Sequence, residues 1–226
     1  MDYYINLEKL SLDSYMDSLK TAYLPPSRRM LRDKVEERKA FFSSLGIRNA
    51  KELMSLLAKK DRNEEMLKTD CLSEEYLKIL LREIKSLLPK PVRIRELFCL
   101  EEETVSTLER EGIINTLKLY NRLLDPDGRE HLIHSLGLDE TEVRKLRSLA
   151  DLCRVRWVGA TFACMLLELG MESAARIAAC DPESLHERVN DLNRERGFYK
   201  GQIGLNDMKI LVETAAKRSD LNEPLL

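Results

Sequence analysis

The 226-residue chain has few of the residues that turn-rich proteins need. It contains 9 glycines and 7 prolines, and aromatic residues make up 6% of it. Folds made of many β-turns use more of these residues, so their scarcity favours a helical protein. No apolar run approaches the 18 residues of a membrane span, and residues 1–6 do not resemble the start of a signal peptide. We therefore expect a cytoplasmic protein with no membrane partner.

The chain also lacks a cysteine pattern of the kind that marks disulfide frameworks or zinc sites. Its five cysteines are odd in number and form no C-x-x-C pair. Such usage is typical of reduced thiols in a cytosolic protein. We expect buried, reduced cysteines at all five positions, which are Cys71, Cys99, Cys153, Cys164 and Cys180.

Signatures of catalysis are missing as well. The sequence has no P-loop and no nucleophile elbow. His131 and His134 could share one face of a helix, but no third ligand stands at a convincing spacing. We expect no catalytic residue, no metal and no cofactor, so the protein is predicted not to be an enzyme.

The charge is nearly balanced at −2, but it is uneven along the chain. Residues 27–90 carry +5, residues 91–152 carry −4 and residues 153–226 carry −1. A non-specific DNA-binding protein usually has a stronger basic excess, because cations neutralise the phosphates. Only the first third of the chain has such an excess.

Three similar segments indicate an internal repeat of about 60 residues. They read "LGIRNAKEL" at 45–53, "EGIINTLKL" at 111–119 and "LGMESAARI" at 169–177. Each follows an apolar-periodic helix, and glycine is the residue best suited to a left-handed helix end. We expect Gly46, Gly112 and Gly170 to occupy equivalent left-handed positions.

Helix caps and prolines place the module boundaries. Short helices are predicted after Asn49, Asn115 and Ser173, and the closing helices after Ser73, Asp139 and Asn206. The "LPPS" segment at 24–27 is predicted to end one helix and to cap the next at Ser27, and "LPKPV" at 88–92 separates two modules. The predicted parts are a docking arm at 1–26 and modules at 27–90, 91–152 and 153–226.

The third module has the most informative turn, "LCRVRWVGATFA" at 152–163. It is similar to the helix-hairpin-helix pattern L-x-x-I-x-G-V-G-x-x-x-A, in which glycines let the backbone approach a phosphate. Gly159 matches the second glycine, whereas Trp157 replaces the first. We expect the amides of Gly159 and Ala160, with Arg154 or Arg156, to contact phosphate; a hairpin kept only for packing is the alternative.

Other stretches are weaker candidates for anion binding. Residues 94–105 have lost both glycines and are acidic. Residues 22–31 open a helix at Ser27, but their arginines could instead be solvated and paired with Glu36 and Glu37. The loop "FYKGQIGLNDMK" at 198–209 could form a phosphate nest or be a plain loop. The candidate residues are Arg28 and Arg29 in the first of these two stretches, Arg32 directly after it, and Lys200, Gly201 and Gly204 in the loop.

The chain resembles an uncharacterised family of bacterial helix-hairpin-helix repeat proteins, catalogued as a domain of unknown function. The stretches "RVRWVGATFA", "DPESLHERVN" and "YKGQIGLNDMKILVETAAK" carry the resemblance, which is strongest over 138–218. It implies an all-α tandem array of small helix-hairpin-helix or SAM-like modules, with no established activity. Two functions remain open, namely sequence-independent binding of a DNA or RNA backbone and a protein-interaction scaffold with purely structural hairpins.

Overall fold

The computed structural model describes residues 3–59 and 66–221, with side chains as far as residue 218. The described residues are helical, and they contain no β-strand beyond two isolated bridges. The chain divides into two compact units, one formed by residues 5–88 and the other by the first four residues together with 89–226. The division falls within the proline-containing "LPKPV" segment.

In the described residues of the 5–88 unit there are four α-helices and one 3-10 helix. They are α1 (Leu12–Thr21), a 3-10 helix (Pro26–Arg32), α2 (Val35–Ser44), α3 (Ala50–Leu57) and α4 (Glu74–Lys85). The predicted docking arm supplies α1, which buries Leu12, Tyr15 and Leu19 in this unit's core. Residues 5–26 are therefore integral to this unit.

The larger unit has eight α-helices among the residues described. They are α5 (Glu102–Arg110), α6 (Thr116–Leu124), α7 (Pro126–Glu130), α8 (Glu140–Leu152), α9 (Ala160–Glu168), α10 (Ala174–Ala178), α11 (Pro182–Arg196) and α12 (Leu205–Leu221). A 3-10 turn (Ile94–Glu96) precedes α5, and a π-helical turn (His131–Ser135) follows α7. One continuous hydrophobic core runs through the second and third predicted modules.

Three glycines end helices in the same way. Gly46, Gly112 and Gly170 have φ angles of 79°, 74° and 76°, as expected for left-handed helix ends. The residue after each glycine donates its N–H to a carbonyl five residues earlier, for example from Met171 to Leu166 at 2.8 Å. This conformation has a low steric cost only for glycine.

The first residue of the short helix after each glycine is anchored to an upstream segment. The Ala50 amide donates to the Leu10 carbonyl at 2.9 Å, and the Thr116 amide donates to the Val92 carbonyl at 2.8 Å. The Ala174 amide instead donates to the Asp151 carboxylate at 2.7 Å. At this third helix, the hydrogen-bond acceptor is therefore a buried carboxylate, whereas at the other two helices it is a backbone carbonyl.

Most predicted caps are confirmed, and two are wrong. Asn49, Asn115, Ser173, Ser73 and Asp139 all accept backbone hydrogen bonds at helix starts, and Asp139 forms a full capping box with Glu142. The other two predicted caps are absent because each helix begins one residue before the polar residue that was expected to cap it. Ser27 lies inside the 3-10 helix, and Asn206 lies inside α12.

The expectation of five reduced cysteines is corrected by a disulfide. Cys99 and Cys164 are bonded, with their Cα atoms 5.7 Å apart. The two residues are 65 positions apart in sequence, so spacing alone gave no sign of the pair. The other three cysteines are free, and burial raises the pKa of the Cys153 thiol to about 12.

Within the ranges that the structure covers, no helix is both long and apolar enough to cross a membrane. No group of three potential metal ligands is found in the same ranges.

Replacing Gly170 by valine should lower the free energy of unfolding by about 1–3 kcal/mol, because a β-branched residue is strained at φ 76°. A Cβ atom there would meet nothing within 4 Å, so the loss would come from the backbone alone. Gly170→Asn is the matched control, since asparagine tolerates this conformation better. Urea unfolding curves that give equal stability for the valine variant and the parent would contradict this account.

Candidate nucleic-acid interface

The candidate interface is the turn between α8 and α9. Helix α8 ends at Leu152, and the next residues make two tight turns through Val155 N–H to Leu152 O and Val158 N–H to Val155 O. Val155, Val158 and Ala163 are buried. The apolar positions of the predicted hairpin therefore point inward and fix the path of the turn.

Trp157 adopts the conformation of the glycine that it replaces. Its φ angle is +65°, which is an outlier for a bulky residue. Its side chain is 44% exposed, so it does not fill the turn as a packing residue would. Gly159, by contrast, has an ordinary extended backbone with φ −92° and ψ −179°.

The N-terminus of α9 has no side-chain cap. Gly159 is the N-cap residue, and the first helical hydrogen bond runs from Ala163 N–H to Gly159 O at 2.9 Å. In the part of the chain that the structure describes, the N–H groups of Ala160 and Thr161 have no hydrogen-bond acceptor. Uncapped amides at a helix start attract anions, because the helix dipole adds to their partial positive charge.

Gly159 and Ala160 form part of the wall of a groove of about 570 Å³. The same groove is lined by Lys90 and Arg93, which are exposed and form no ion pair with any described residue. Arg95 also lines it but pairs with Glu109, at 2.5 Å between Nη2 and Oε2. The groove therefore combines free helix amides with two available cations.

Arg154 lies in the protein interior. It is 2% exposed, its Nε donates to Asp151 Oδ1 at 2.7 Å, and its Nη1 donates to the Tyr120 hydroxyl at 2.8 Å. The other Asp151 oxygen accepts the Ala174 amide. The structure thus places Arg154 in a buried network that joins α6, α8 and α10, where its side chain is out of reach of a phosphate in solution.

Tyr3 extends this network. Its ring meets the Tyr120 ring edge-on at 5.5 Å between centroids, and its hydroxyl is 2.8 Å from the Thr116 hydroxyl. Burial raises the pKa of the Tyr3 hydroxyl well above its usual value. The network holds the C-terminal end of α8, after which the hairpin turn begins.

Arg156 is also mostly buried, at 8% exposure. Its guanidinium carbon lies 4.0 Å from the centroid of the Trp157 ring, in a cation–π contact. Both residues line a second cavity, of about 220 Å³, on which Phe162 and Tyr199 also border. The charge of Arg156 therefore lies beside an aromatic cleft, whereas Lys90 and Arg93 line the groove.

Arg218 was not anticipated from the sequence. It is 1% exposed, and none of its three guanidinium nitrogens has a hydrogen-bond partner among the residues that the structure describes. Burial, reinforced by the charge of Arg154, lowers the pKa of Arg218 to about 10. Arg218 lies near the end of an amphipathic helix, and its neighbours in the sequence do not indicate that it is buried.

The basic segment of the smaller unit is organised differently from the prediction. Arg28 Nη1 donates to Glu83 at 2.6 Å, and Arg32 Nη2 donates to the Ala22 carbonyl at 2.6 Å. These contacts replace the expected pairing with Glu36 and Glu37. Arg29 is exposed, but the helix that begins here is a seven-residue 3-10 helix.

The loop with Lys200, Gly201 and Gly204 does not form an anion nest. Neither glycine has a positive φ angle, and the Gly201 carbonyl accepts from the Asn193 side chain at 2.9 Å. The Gly204 amide donates to the Asp207 carboxylate at 3.2 Å. That carboxylate would repel a phosphate, so we expect no phosphate contact from this loop.

Sequence reasoning missed Lys90 and Arg93, which lie 69 and 66 residues before Gly159. Lys90 lies in the 88–92 segment that the prolines marked as a linker, and Arg93 follows that segment directly. No sequence motif sets them apart from other surface cations. In the structure both are exposed beside Val92, whose carbonyl accepts a hydrogen bond from the Thr116 amide. Only the fold brings this segment to the start of α9.

A family model described as "Domain of unknown function (DUF4332)" matches residues 99–218, which is more than half of the chain. No curated protein and no solved structure matches the chain. The matched range contains the hairpin turn, the aromatic cleft and Asp151. It does not contain Lys90 or Arg93.

Asp151→Ala should lower the free energy of unfolding by about 3–5 kcal/mol, because it leaves the Arg154 charge buried without its carboxylate. The control is Asp191→Ala, which removes an exposed partner of Arg194 and should change stability by about 0.5 kcal/mol or less. Chemical denaturation measures both. Equal effects of the two substitutions would show that the buried pair is not a main support of the fold.

Arg218→Met should raise stability by about 1–3 kcal/mol, because it removes an unsatisfied buried polar group while keeping a long apolar side chain. Arg194→Met, at an exposed position in α11, should be nearly neutral. Differential scanning calorimetry would detect the difference. A lower melting temperature for Arg218→Met would mean that this charge stabilises the folded chain.

Proposed function

We propose that this chain, which belongs to the family described as Domain of unknown function (DUF4332), is a non-enzymatic protein that binds the nucleic-acid backbone without reading its sequence. The contact is made by the α9 N-terminus, in a helix-hairpin-helix turn. The backbone N–H groups of Gly159, Ala160 and Thr161 donate hydrogen bonds to a phosphate oxygen. Lys90 and Arg93 supply the positive charge.

The observation that carries this proposal is the groove shared by the uncapped amides and the two free cations. A phosphate there would gain hydrogen bonds from a helix start and ion pairs from flexible side chains. Such contacts do not involve base edges, so they carry no sequence information. The extended backbone at Gly159 also lacks a Cβ atom, which leaves the approach to the amides open.

The charge balance favours weak, salt-sensitive binding. Three cationic side chains line the groove together with the two acidic side chains of Glu96 and Glu109. The charged side chains of the groove therefore sum to +1. Each neutralised phosphate releases counterions and steepens the salt dependence. A site with two available cations should therefore bind at low salt and release nucleic acid as salt rises.

A protein-interaction scaffold is the second candidate. It is favoured by exposed apolar side chains, since Phe98 is 54% exposed and Ile114 is 47% exposed. Exposed aromatic and aliphatic residues of this size are common at protein interfaces. Absence of nucleic-acid binding at low salt would favour this candidate.

Lys90→Ala combined with Arg93→Ala should weaken DNA binding about equally for oligonucleotides of different sequence. The slope of log affinity against log salt should become shallower by about one to two units, because two phosphate contacts are lost. Fluorescence anisotropy with labelled oligonucleotides at several salt concentrations measures both quantities.

The charge-matched control is Arg194→Ala combined with Lys217→Ala, which removes two cations that do not line the groove. It should leave the slope unchanged. Arg154 and Arg156 are left unchanged in both variants, because both are buried and their loss would disturb the fold. An unchanged slope in the Lys90 and Arg93 variant would contradict the proposed contact.

A further inference from the structure

The aromatic cleft that Trp157 lines differs from the groove in the kind of side chains that form it. Its volume is about 220 Å³, and it is lined mainly by apolar and aromatic side chains. Two polar groups border it, Arg156 and Asp207. The remaining lining residues are Trp157, Phe162, Tyr199, Ile203, Met208 and Leu211.

We propose that this cleft receives one unpaired nucleobase, stacked on Trp157, from a single strand whose phosphate is held at the α9 N-terminus. This inference rests on the proposed function and specifies its substrate. It predicts that the chain distinguishes single strands from duplex, although it does not read sequence.

The conformation of Trp157 is the first argument. A positive φ angle costs a bulky residue of the order of 1–2 kcal/mol, and glycine would avoid that cost. Burial does not compensate, because the side chain is 44% exposed. Strain of this kind is concentrated at functional sites, and here it holds a large aromatic surface beside an open cleft.

The stacking partners are the second argument. Unpaired bases are bound by aromatic rings and arginine guanidinium planes, which accept any base on its flat face. Trp157 carries the Arg156 guanidinium against its ring, and Tyr199 is 40% exposed at the same cleft. These three side chains therefore provide the surfaces that a base would stack on.

Size and charge narrow the choice of ligand. Pockets for drug-sized ligands span about 300–1,000 Å³, so a cleft of 220 Å³ fits a single ring system better than a whole nucleotide. Asp207 at the cleft would repel a phosphate but not a neutral base. The cleft therefore suits the base, while the groove with Lys90 and Arg93 suits the phosphate.

Continuity along the chain links the two sites. Trp157 and Gly159 are two residues apart, so their Cα atoms are separated by less than about 8 Å. Trp157 lines the cleft, and Gly159 lines the groove. A strand passing the turn can thus place a phosphate in the groove and a neighbouring base in the cleft.

The test uses the fluorescence of Trp157, which is the only tryptophan in the sequence. The full chain at low salt is titrated with a 12-nucleotide single strand, with the same strand made abasic throughout, and with the corresponding duplex. The single strand should quench the fluorescence and bind about tenfold or more tightly than the abasic strand, since stacking contributes about 1–3 kcal/mol per base.

Two variants localise the effect by anisotropy. Trp157→Gly should lose about tenfold in single-strand affinity while duplex binding stays equal or becomes stronger, because the turn regains its glycine. Tyr199→Ala should also weaken single-strand binding selectively. Tyr23→Ala removes an equally exposed aromatic side chain outside the cleft and should have no effect.

The outcomes separate this proposal from the one on which it rests. One outcome is that single, abasic and duplex strands bind equally while the Lys90 and Arg93 variant shows a shallower slope of log affinity against log salt. In that case the proposed backbone binding stands and the proposal of a base in the cleft is wrong. If no strand binds at low salt, both proposals fail. If Trp157→Gly weakens duplex and single strand alike, Trp157 acts through the turn and the cleft proposal is overturned.

Discussion

The buried Asp151 carboxylate is the contact on which the larger unit depends. One oxygen neutralises Arg154 at 2.7 Å, and the other accepts the first amide of α10 at 2.7 Å. Both charges are almost fully removed from water, so either one alone would be costly. Because Arg154 also binds the Tyr120 hydroxyl, one carboxylate couples α6, α8 and α10. The start of the hairpin turn is held within this set of contacts.

This constraint explains how a tryptophan can occupy a glycine position. Val155 and Val158, which precede and follow Trp157 in the sequence, are buried, and the Arg156 guanidinium lies against the exposed Trp157 ring. The surrounding packing fixes the backbone, so the unfavourable φ angle of Trp157 is tolerated. A turn held this firmly presents the amides of α9 in a fixed direction, which backbone recognition requires.

Local sequence signals predicted the helical elements well. Gly170 and its two counterparts marked left-handed helix ends, and Asp139 with Glu142 marked a capping box, because these motifs act within a few residues. Contacts distant in sequence were not predictable. The Cys99–Cys164 disulfide spans 65 positions, and burial turned Arg154 from an expected phosphate ligand into a structural residue. Lys90 and Arg93 became candidates only when the fold placed them beside Gly159.

The most direct test of the account is amide NMR of the isotope-labelled full chain during titration with a short single-stranded oligonucleotide at low salt. The central claim is that phosphate is received at the α9 N-terminus. The largest shift changes should therefore occur at the amides of Gly159, Ala160 and Thr161, with smaller changes at Lys90 and Arg93 and the smallest at Gly201 and Gly204. Binding with shift changes confined to residues 27–32, or to the 198–204 loop, would contradict the claim.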